Sequence, residues 1–272
     1  MTALQEFLKA QAASGLVSWQ TQQQAANRFA LSLYEVEAEI LAAGLLPARY
    51  QRNQQMISTP QQLQLLRSRV VVIGAGGLGG YILEQLARLG VGQIDSIDDD
   101  VFEENNLNRQ LFSSPAKLGR VKVEVAAERI AEVNPAVIFT PTRARLDQCN
   151  GAALVRGADC VVDALDNVTA RLELGAVCNS LGIPLVHGAI AGWYGQVATI
   201  FPGEQSLQTI YRHWSGGKGI EQQLGNPAFT PAVAASLQVA EVCKVLLGQG
   251  RLLRNRQITL NLLDMEIEDI PL

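Results

Sequence analysis

Residues 69–79 read Arg-Val-Val-Val-Ile-Gly-Ala-Gly-Gly-Leu-Gly, and this stretch decides the fold. Four β-branched residues lead into Gly74, Gly76 and Gly79, which follow the spacing G-x-G-x-x-G. An apolar run entering such a turn is typical of a buried parallel strand followed by a helix whose N-terminus faces a phosphate. The stretch predicts a nucleotide-binding unit. Close packing of a strand on a helix, without any ligand, is the ordinary alternative.

The residues that follow the glycine loop distinguish two nucleotides. Asp98 ends the next apolar segment, about 20 residues on, where an acidic side chain suits the ribose hydroxyls of either NAD or ATP. A nicotinamide enzyme needs only a hydride path and a proton shuttle beyond that point. This chain instead has phosphate-seeking cations and amides, and these favour ATP. They are Asn105, Asn106, Arg109, Gln110 and Lys122.

Several short motifs follow the glycine loop in register. They are Asp-Asp-Asp at 98–100, Asn-Asn-Leu-Asn-Arg-Gln at 105–110, Gly-Arg-Val-Lys at 119–122, Val-Asn-Pro at 133–135 and Asp-Ala-Leu-Asp-Asn at 163–167. With the loop itself they resemble the ThiF/MoeB/HesA family of adenylating enzymes, which are related to the adenylation domain of ubiquitin-activating enzymes. The resemblance extends over roughly residues 48–265, and several motifs in register are far more specific than one glycine loop.

The resemblance implies that the protein is an adenylyltransferase that activates a carboxylate with ATP and releases pyrophosphate. It implies that Asp98 binds the ribose, that Arg109 and Lys122 bind the phosphates, and that Asp166 holds Mg²⁺. The complete predicted ATP site comprises Gly74, Gly76, Gly77, Gly79, Asp98, Asp100, Asn105, Asn106, Arg109, Gln110, Lys122, Asp166 and Asn167. Two alternatives stay open: Asp166 as a helix N-cap, and Lys122 as a solvated residue on a helix that starts near Lys117.

A further arginine is predicted to act across a dimer interface. The segment Arg49-Tyr50-Gln51-Arg52-Asn53 precedes the glycine loop and resembles the family's Arg-Tyr-x-Arg-Gln. The resemblance implies a homodimer in which Arg52 completes the ATP site of the partner protomer, as a catalytic residue beside Arg109, Lys122 and Asp166. Asn53 departs from the family's glutamine. A surface arginine in a linker is the alternative.

The substrate is implied by the resemblance alone. In this family the activated carboxylate is the C-terminal Gly-Gly of a small ubiquitin-like sulfur carrier, as in molybdopterin and thiamin synthesis. A peptide, a small molecule or a tRNA base could supply the carboxylate instead, and the N-terminal arm could then hold the substrate. Two alternative functions belong to other classes of protein: a nicotinamide-dependent oxidoreductase and a catalytically silent scaffold. Arg109 and Lys122 argue against both.

The positions of the cysteines argue against a structural zinc site and against a thioester on the enzyme. Cys149, Cys160, Cys178 and Cys243 form no Cys-x-x-Cys pair, whereas many relatives hold a structural zinc with two such pairs. A tetrahedral zinc site needs four ligands. Residues 203–229, where thioester-forming relatives place their cysteine, contain none. We therefore expect no zinc site and reduced, mostly buried thiols.

Composition narrows the class of partner and the compartment. The 272-residue chain has a net charge of −4 and a pI near 5.3, so it has no basic footprint for nucleic acid or an anionic membrane. Glu6 and Lys9 interrupt the first apolar stretch, and no apolar run reaches about 18 residues, which argues against a signal peptide or a membrane span. We expect a cytoplasmic protein.

The pattern along the chain predicts a helical N-terminal arm over residues 1–47, ended by Gly44 and Pro47, and an ATP-binding adenylation domain over residues 48–272. Strands are expected at 69–73, 93–98, 136–140, 160–163 and 184–187, alternating with helices at 77–89, 117–132, 147–156 and 167–181. This alternation is typical of a doubly wound, Rossmann-like α/β fold with a mainly parallel sheet.

Beyond residue 190 the pattern changes. Strands at 196–201 and 257–264, with a helix at 230–248, predict an antiparallel C-terminal extension. Residues 203–229 are too long for an ordinary connection, so we interpret them as a functional lid rather than a disordered segment. Residues 215–219 read Ser-Gly-Gly-Lys-Gly. Since no strand precedes them, a mobile hinge is favoured over a second phosphate loop.

Overall fold

The structure is a computed structural model that describes residues 2–214, 216 and 224–272. Its helices are α1 (Ala3–Gln11), α2 (Trp19–Phe29), α3 (Leu33–Ala42), α4 (Thr59–Arg67), α5 (Gly77–Leu89), α6 (Lys122–Val133), α7 (Gly151–Val155), α8 (Val168–Leu181), α9 (Ser206–Ile210) and α10 (Phe229–Leu247). Its strands are β1 (Leu16–Val17), β2 (Leu46–Pro47), β3 (Arg69–Ile73), β4 (Gln93–Ile97), β5 (Ile138–Thr142), β6 (Cys160–Asp163), β7 (Leu185–Ala191), β8 (Tyr194–Ile200), β9 (Arg256–Asn261) and β10 (Glu266–Pro271).

The predicted fold class is confirmed. Eight strands form one sheet in the order β10-β9-β8-β7-β6-β3-β4-β5. The strands from β7 to β5 are parallel, with β3 paired to β4 and β6. β8, β9 and β10 extend this sheet in antiparallel fashion. The result is a Rossmann-like α/β sheet with an antiparallel C-terminal extension.

Strand β3 lies in the middle of two hydrophobic layers. Val70 and Val72 pack with side chains of α5, α6 and α10, whereas Val71 and Ile73 pack with α7 and α8 on the other face. Because side chains alternate along a strand, a continuous β-branched run suits a strand covered on both faces. This double coverage explains why the run at 70–73 contains no polar residue.

The glycine loop is closely packed. Gly74 has a φ of +102°, and a Cβ there would lie 2.6 Å from the carbonyl oxygen of Ala164. A Cβ at Gly79 would lie 1.9 Å from the carbonyl oxygen of Gly74. Both positions therefore require glycine, one for the turn and one for the contact between α5 and the loop.

Several element boundaries differ from the prediction. The helix expected from residue 117 begins at Lys122, because a 3-10 turn over Pro115–Lys117 and Gly119 at φ +76° occupy the preceding residues. The helix expected at 147–156 is limited to Gly151–Val155, since Asp147 accepts backbone hydrogen bonds in the preceding turn. Strand β5 starts two residues later than expected, and β10 was not predicted.

The predicted helical arm contains α1, α2 and α3 around a small core of its own, formed by Leu4, Leu8, Val17, Ala25, Val36 and Ile40. Its end merges with the following domain. Leu41 and Leu46 share a hydrophobic cluster with Tyr50 and Leu66, and β1 pairs in parallel with β2. The division of the chain at residue 47 stays a prediction.

Helix α10 is the one described helix long and apolar enough to cross a membrane by length and composition. Half of its apolar window is buried within the protein, and it packs on α5, β7 and β8. Gln238 donates from Nε2 to the carbonyl of Asp163 over 2.9 Å, and Glu241 accepts a hydrogen bond from the Thr199 hydroxyl. These contacts are those of a core helix.

Part of the expected lid cannot be compared with the structure. Ser215 and residues 217–223 lie outside the described residues, so the hinge at 215–219 and the centre of the lid stay predictions. The described ends of the segment are anchored. Tyr211 contacts the buried side chains of Arg171 and His187, and Gly225 accepts a hydrogen bond from the Gly192 N–H over 2.7 Å.

Candidate active site

The carboxyl ends of β3, β4 and β6 open into a cavity of about 790 Å³, here called the main cavity. They lie side by side because β3 stands between β4 and β6 in the sheet. This volume falls within the usual range of small-molecule sites, roughly 300–1,000 Å³. The predicted residues on its wall are Gly74, Gly76, Gly77, Asp98, Asp100, Asn105, Arg109, Gln110, Lys122, Asp166 and Asn167.

Asp98 connects the glycine loop to the end of β4. Its Oδ2 accepts a hydrogen bond from the Ala75 N–H at 2.7 Å, and its Oδ1 accepts one from the Asp100 N–H at 2.8 Å. Burial raises the pKa of Asp98, while the nearby Lys122 ammonium and these two donors act in the opposite direction. The carboxylate is thus held in one orientation at the cavity wall.

Lys122 is buried at the first turn of α6. Its side chain is 7% exposed, and Nζ donates to Oδ2 of Asp100 at 2.9 Å. The alternative of a solvated lysine on a helix starting near Lys117 is therefore wrong. The Asp100 side chain is 66% exposed, so it can turn into solvent and leave the ammonium for a bound anion.

Arg109 and Gln110 lie against the glycine loop. Arg109 donates from Nη1 to the Asn105 carbonyl at 2.7 Å and to Oδ1 of Asn108 at 2.9 Å. Gln110 is 7% exposed, yet its Oε1 has no hydrogen-bond partner among the described residues. An unpaired buried polar atom costs about 1–3 kcal/mol. The unused amide beside the glycine turn therefore fits a site that receives a polar ligand.

Asp166 is an exposed carboxylate on the cavity wall. Within the described part of the chain it makes no hydrogen bond or ion pair. The N-cap of α8 is Asn167 instead, whose Oδ1 accepts from the Ala170 N–H at 3.1 Å. The alternative role of Asp166 as an N-cap is therefore wrong, and its oxygens remain available to a ligand.

Two groups of carboxylates at the main cavity could hold Mg²⁺: Asp98 to Asp100, and Asp166. The ion usually takes one or two carboxylates together with substrate phosphate oxygens and water. Asp98, Asp99 and Asp100 place carboxylate oxygens within 4.8 Å of one another, but Asp98 and Asp100 are already engaged by hydrogen bonds. Asp166, which has free oxygens at the same cavity, fits better.

Three predicted residues are not on this wall. Gly79 lies inside α5 and packs on the Gly74 backbone. Asn106 is buried behind the site, where its Oδ1 accepts from the Glu103 N–H at 3.0 Å. Arg52 is exposed on the 3-10 helix Ala48–Asn53. Gly79 and Asn106 therefore shape the loops that carry the site, and their part in ATP binding stays a prediction.

The sequence reasoning missed several wall residues. They are Ala144, Arg145, Leu146, Arg171, Gly225 and Asn226. Residues 144–146 follow the end of β5, so the rule that ligands lie at the carboxyl ends of parallel strands could have identified them. Arg171 lies about one helical turn beyond Asn167, the N-cap of α8. Gly225 and Asn226 are brought in only by the tertiary fold.

A second cavity of about 890 Å³, here called the groove, adjoins the main cavity. Asp166, Arg171 and Ile190 line both. Strands β7, β8 and β9 contribute most of its other wall, and Ile210, Tyr211 and Trp214 lie across it. The wall of the groove is largely apolar, and Asp166 lies where the groove meets the main cavity.

Arg171, which lines both cavities, marks the border between them and contacts a buried polar network. His187 is fully buried, and its Nδ1 lies 2.7 Å from Oδ2 of Asp163. Burial lowers the pKa of His187. For Asp163, burial acts to raise the pKa, but Arg171 and the His187 hydrogen bond outweigh it and the pKa is lowered. A neutral His187 that donates from Nδ1 leaves Nε2 to accept from the Tyr211 hydroxyl at 3.3 Å.

Arg171 holds this border together. It donates to the Gly188 carbonyl at 2.8 Å, to the Tyr211 hydroxyl at 3.2 Å and to the carbonyl of Leu165. Its guanidinium therefore fixes the backbone directly before Asp166.

None of the four cysteines lies on the wall of either cavity. Burial raises the pKa of Cys178 to about 12 and also raises the pKa of Cys160 and Cys243. Cys149 is exposed. Buried thiols of this kind are poor nucleophiles and poor metal ligands at neutral pH. The absence of zinc and of a thioester stays a prediction.

Comparisons with known proteins agree with this geometry. The ThiF family model matches residues 50–272. Over 227 residues the chain is 37% identical to the SAMP-activating enzyme E1 of Haloferax volcanii, covering 82% of this chain and 84% of the relative. Over 193 residues it is 37% identical to the molybdopterin-synthase adenylyltransferase of Escherichia coli, covering 70% of this chain and 77% of that relative.

A similar fold occurs in solved structures. MccB of E. coli in complex with ATP has a TM-score of 0.71 and 22% identity, over 92% of this chain and 82% of MccB. PaaA has a TM-score of 0.65 and 20% identity, over 91% of this chain and 73% of PaaA. At this identity the likeness concerns the fold alone. The family match over residues 50–272 and the 37% identical relatives show that the chain belongs to the ThiF family.

Proposed function

We propose that this protein uses MgATP to adenylate the C-terminal Gly-Gly carboxylate of a small ubiquitin-like sulfur-carrier protein and releases pyrophosphate. One observation carries the proposal: Arg109, Lys122 and the free carboxylate of Asp166 converge on the glycine loop in a cavity that continues into an open groove. The names of two relatives, a SAMP-activating enzyme and a molybdopterin-synthase adenylyltransferase, support the class of reaction.

The reaction brings two anions together. A carboxylate oxygen of the substrate attacks the α-phosphorus of ATP, the bond from that phosphorus to the bridging oxygen breaks, and pyrophosphate leaves with the bonding electrons. A carboxylate is already ionised at neutral pH, so the enzyme needs no general base. Charge and positioning therefore supply most of the rate enhancement.

The cations of the main cavity have separate roles in this proposal. Lys122 exchanges Asp100 for a phosphate oxygen, and Arg109 turns from the Asn105 carbonyl toward the phosphates. Asp98 accepts the ribose hydroxyls beside the glycine loop. Asp166 would hold Mg²⁺, which offsets phosphate charge when bound. Arg171 keeps the Asp166 loop in place through the Leu165 carbonyl.

The groove provides the route for the substrate. Its largely apolar walls suit an extended tail, and the wall shared with the main cavity is formed by Asp166, Arg171 and Ile190. A tail that ends in two glycines has no side chain to block this passage. A globular carrier would stay outside, near the exposed rings of Trp193 and Tyr194. A peptide substrate would use the same route.

The proposed active unit is a cytoplasmic homodimer. Arg52 is exposed and does not line the main cavity of its own chain. An arginine finger supplied to the partner's ATP site is consistent with both facts. No zinc is needed in this proposal.

Pyrophosphate release tests the proposed function. Purified protein is incubated with MgATP and each candidate ubiquitin-like carrier from the same genome, and a carrier lacking its last glycine serves as the matched control. We expect release that depends on the complete Gly-Gly terminus. Release with short peptides but with no carrier would favour the peptide alternative. Tighter binding of NADH than of MgATP would overturn adenylation altogether.

A further inference from the structure

The N-terminal arm contacts the segment that carries Arg52. The arm precedes the family match, which begins at residue 50, so the family's chemistry does not account for it. Helix α3 nevertheless buries Glu37 completely, and both polar partners of this carboxylate belong to the 3-10 helix Ala48–Asn53. A fully buried carboxylate is costly unless it is paired, so this contact is a specific one.

The contacts of Glu37 form a network, here called the docking network, of Glu37, Arg49, Tyr50 and Asn134. Oε1 of Glu37 lies 3.3 Å from Nε of Arg49, and Oε2 accepts from the Tyr50 hydroxyl at 3.0 Å. That hydroxyl accepts in turn from Nδ2 of Asn134 at 2.9 Å. Arg49 also donates to Oδ1 of Asn134 at 2.5 Å. The network therefore joins the arm, the 3-10 helix and the end of α6.

A second contact fixes the other end of the 3-10 helix. Nδ2 of Asn53 donates to Oε1 of Gln62 at 3.3 Å, and Nε2 of Gln62 donates to the Leu89 carbonyl at 2.7 Å. A Cβ at Gly90 would lie 2.6 Å from the Tyr50 hydroxyl, so the helix sits directly on the end of α5.

Arg52 belongs to the same 3-10 helix. In that helix Tyr50 is 1% exposed and Asn53 is partly buried. Arg52 is exposed, and its guanidinium makes no hydrogen bond or ion pair with any described residue. The helix is thus held through Arg49, Tyr50 and Asn53, while Arg52 remains an exposed cation.

We infer that the N-terminal arm is a positioning element for Arg52. Through Glu37 and the docking network, it holds the 3-10 helix so that Arg52 points away from its own domain and toward a second copy of this chain. Arg49 also places its guanidinium carbon 4.9 Å from the centre of the Trp19 ring, which adds a contact from α2. The destination of Arg52, the partner's ATP site, rests on the proposed function.

The first experiment measures the docking itself. Hydrogen exchange of residues 48–53 is followed in full-length wild type, Glu37→Ala, Tyr50→Phe and the matched control Glu39→Ala. Glu39 lies two residues along α3, and among the described residues its side chain bonds only to Gln5 of the arm. We expect exchange at 48–53 to become at least tenfold faster in Glu37→Ala and Tyr50→Phe, and to stay unchanged in the control. Unchanged exchange in both variants would overturn the inference.

The second experiment asks whether the arm acts through Arg52. Turnover, measured as carrier-dependent pyrophosphate release, is determined for Glu37→Ala, Arg52→Ala and the double variant. We expect Glu37→Ala to lower turnover about tenfold in the wild-type background and less than twofold in the Arg52→Ala background. A general structural role would lower it equally in both backgrounds, and that result would also overturn the inference.

Tyr50→Phe repeats this cycle if Glu37→Ala does not fold. Failure of the proposed function is a separate result. If wild type releases no pyrophosphate with any carrier, adenylation is wrong, and the exchange rates alone decide whether the arm holds the Arg52 helix.

Discussion

At the residue scale, the charged side chains of the main cavity are of two kinds, those with a partner within the chain and those without one among the described residues. Lys122 and Asp98 have partners within the chain, whereas the carboxylate of Asp166 has none among the described residues. A side chain left exposed and unpaired at a buried strand edge contributes little to stability. A substitution of Asp166 should therefore change activity while leaving stability nearly unchanged.

Asp166→Asn tests this separation. The substitution keeps the size of the side chain but removes its charge, so a bound cation loses a carboxylate ligand. We expect pyrophosphate release to fall at least 100-fold, about 3 kcal/mol in activation free energy, while Tm changes by less than about 2 °C. Asp264→Asn, an exposed aspartate on the turn between β9 and β10, is the control. Turnover within threefold of wild type would remove Asp166 from the mechanism.

At the element scale, adjacent glycines of α5 have different reasons for being glycine. The Cβ that alanine would add at Gly79 lies 1.9 Å from the Gly74 carbonyl oxygen, whereas one at Gly80 lies 3.4 Å from Cβ of Leu111. The first is a clash with backbone, which cannot move without shifting the loop. The second is an ordinary van der Waals contact.

Gly79→Ala and Gly80→Ala form a matched pair. We expect Gly79→Ala to lower the free energy of unfolding by about 1–3 kcal/mol and to weaken ATP binding, because the loop must move. Gly80→Ala should change stability by less than about 1 kcal/mol, since alanine also favours the helix. Denaturant unfolding and calorimetric ATP titration measure both effects. Equal effects of the two variants would contradict the packing at Gly79.

The contribution of the N-terminal arm to stability is expected to depend on pH. Burial raises the pKa of Glu37 from 4.5 to about 7. Because the folded state holds this proton more tightly, the contribution of Glu37 to stability is complete below about pH 4.5 and is lost as the pH rises through 7. His187 acts in the opposite direction, since its lowered pKa removes stability as the pH falls. Because both groups affect stability, only a comparison of wild type with a Glu37 variant isolates the contribution of Glu37.

We therefore compare wild type with Glu37→Gln at pH 5.5 and pH 8. Relative to the variant, wild type should lose about 2 kcal/mol of unfolding free energy between these two pH values. Denaturant titrations of both proteins at both pH values give this difference, in which the contribution of His187 cancels. If the difference in stability between wild type and Glu37→Gln is the same at both pH values, Glu37 is ionised in the folded protein throughout.

At the scale of the whole molecule, the proposed function requires two copies of the chain to complete each site. Arg52 is exposed and does not line the main cavity of its own chain. A symmetric dimer uses the same surface on both subunits, so each chain would supply one arginine and receive one. Mixed dimers of two strongly impaired variants distinguish this arrangement from an arginine acting in its own chain.

Arg52→Ala and Lys122→Ala should each keep only a small, measurable fraction of wild-type turnover alone and should complement each other. In a mixed dimer, the chain with Arg52→Ala keeps its own Lys122 and receives Arg52 from its partner. Random pairing of equal amounts places such a complete site at about one in four positions, so co-expression should restore roughly a quarter of wild-type turnover. No recovery from co-purified mixed dimers, or full wild-type activity at the mass of one chain, would remove Arg52 from catalysis in the partner's site.

The sequence by itself determined the parts of this protein that depend on local pattern. A β-branched run followed by glycines specifies β3, the loop and the start of α5 within eleven residues, because the run suits a strand covered on both faces and only glycine fits the turn. Asp98, Arg109, Lys122 and Asp166 could be assigned to the same edge of the sheet, since ligands lie at the carboxyl ends of parallel strands. The helical periodicity of the N-terminal arm could also be recognised in the sequence.

Only the tertiary structure decided what lies far apart in the chain. Asp166 or Asn167 could each cap α8 by sequence, and the backbone geometry selects Asn167. Lys122 became a buried residue because the turn at Gly119 delays the start of α6. The groove, the border held by Arg171, and the burial of Glu37 against Tyr50 depend on packing between distant segments. Local patterns carry no information about such contacts, because burial of a polar side chain is determined by the partners that the whole fold brings to it.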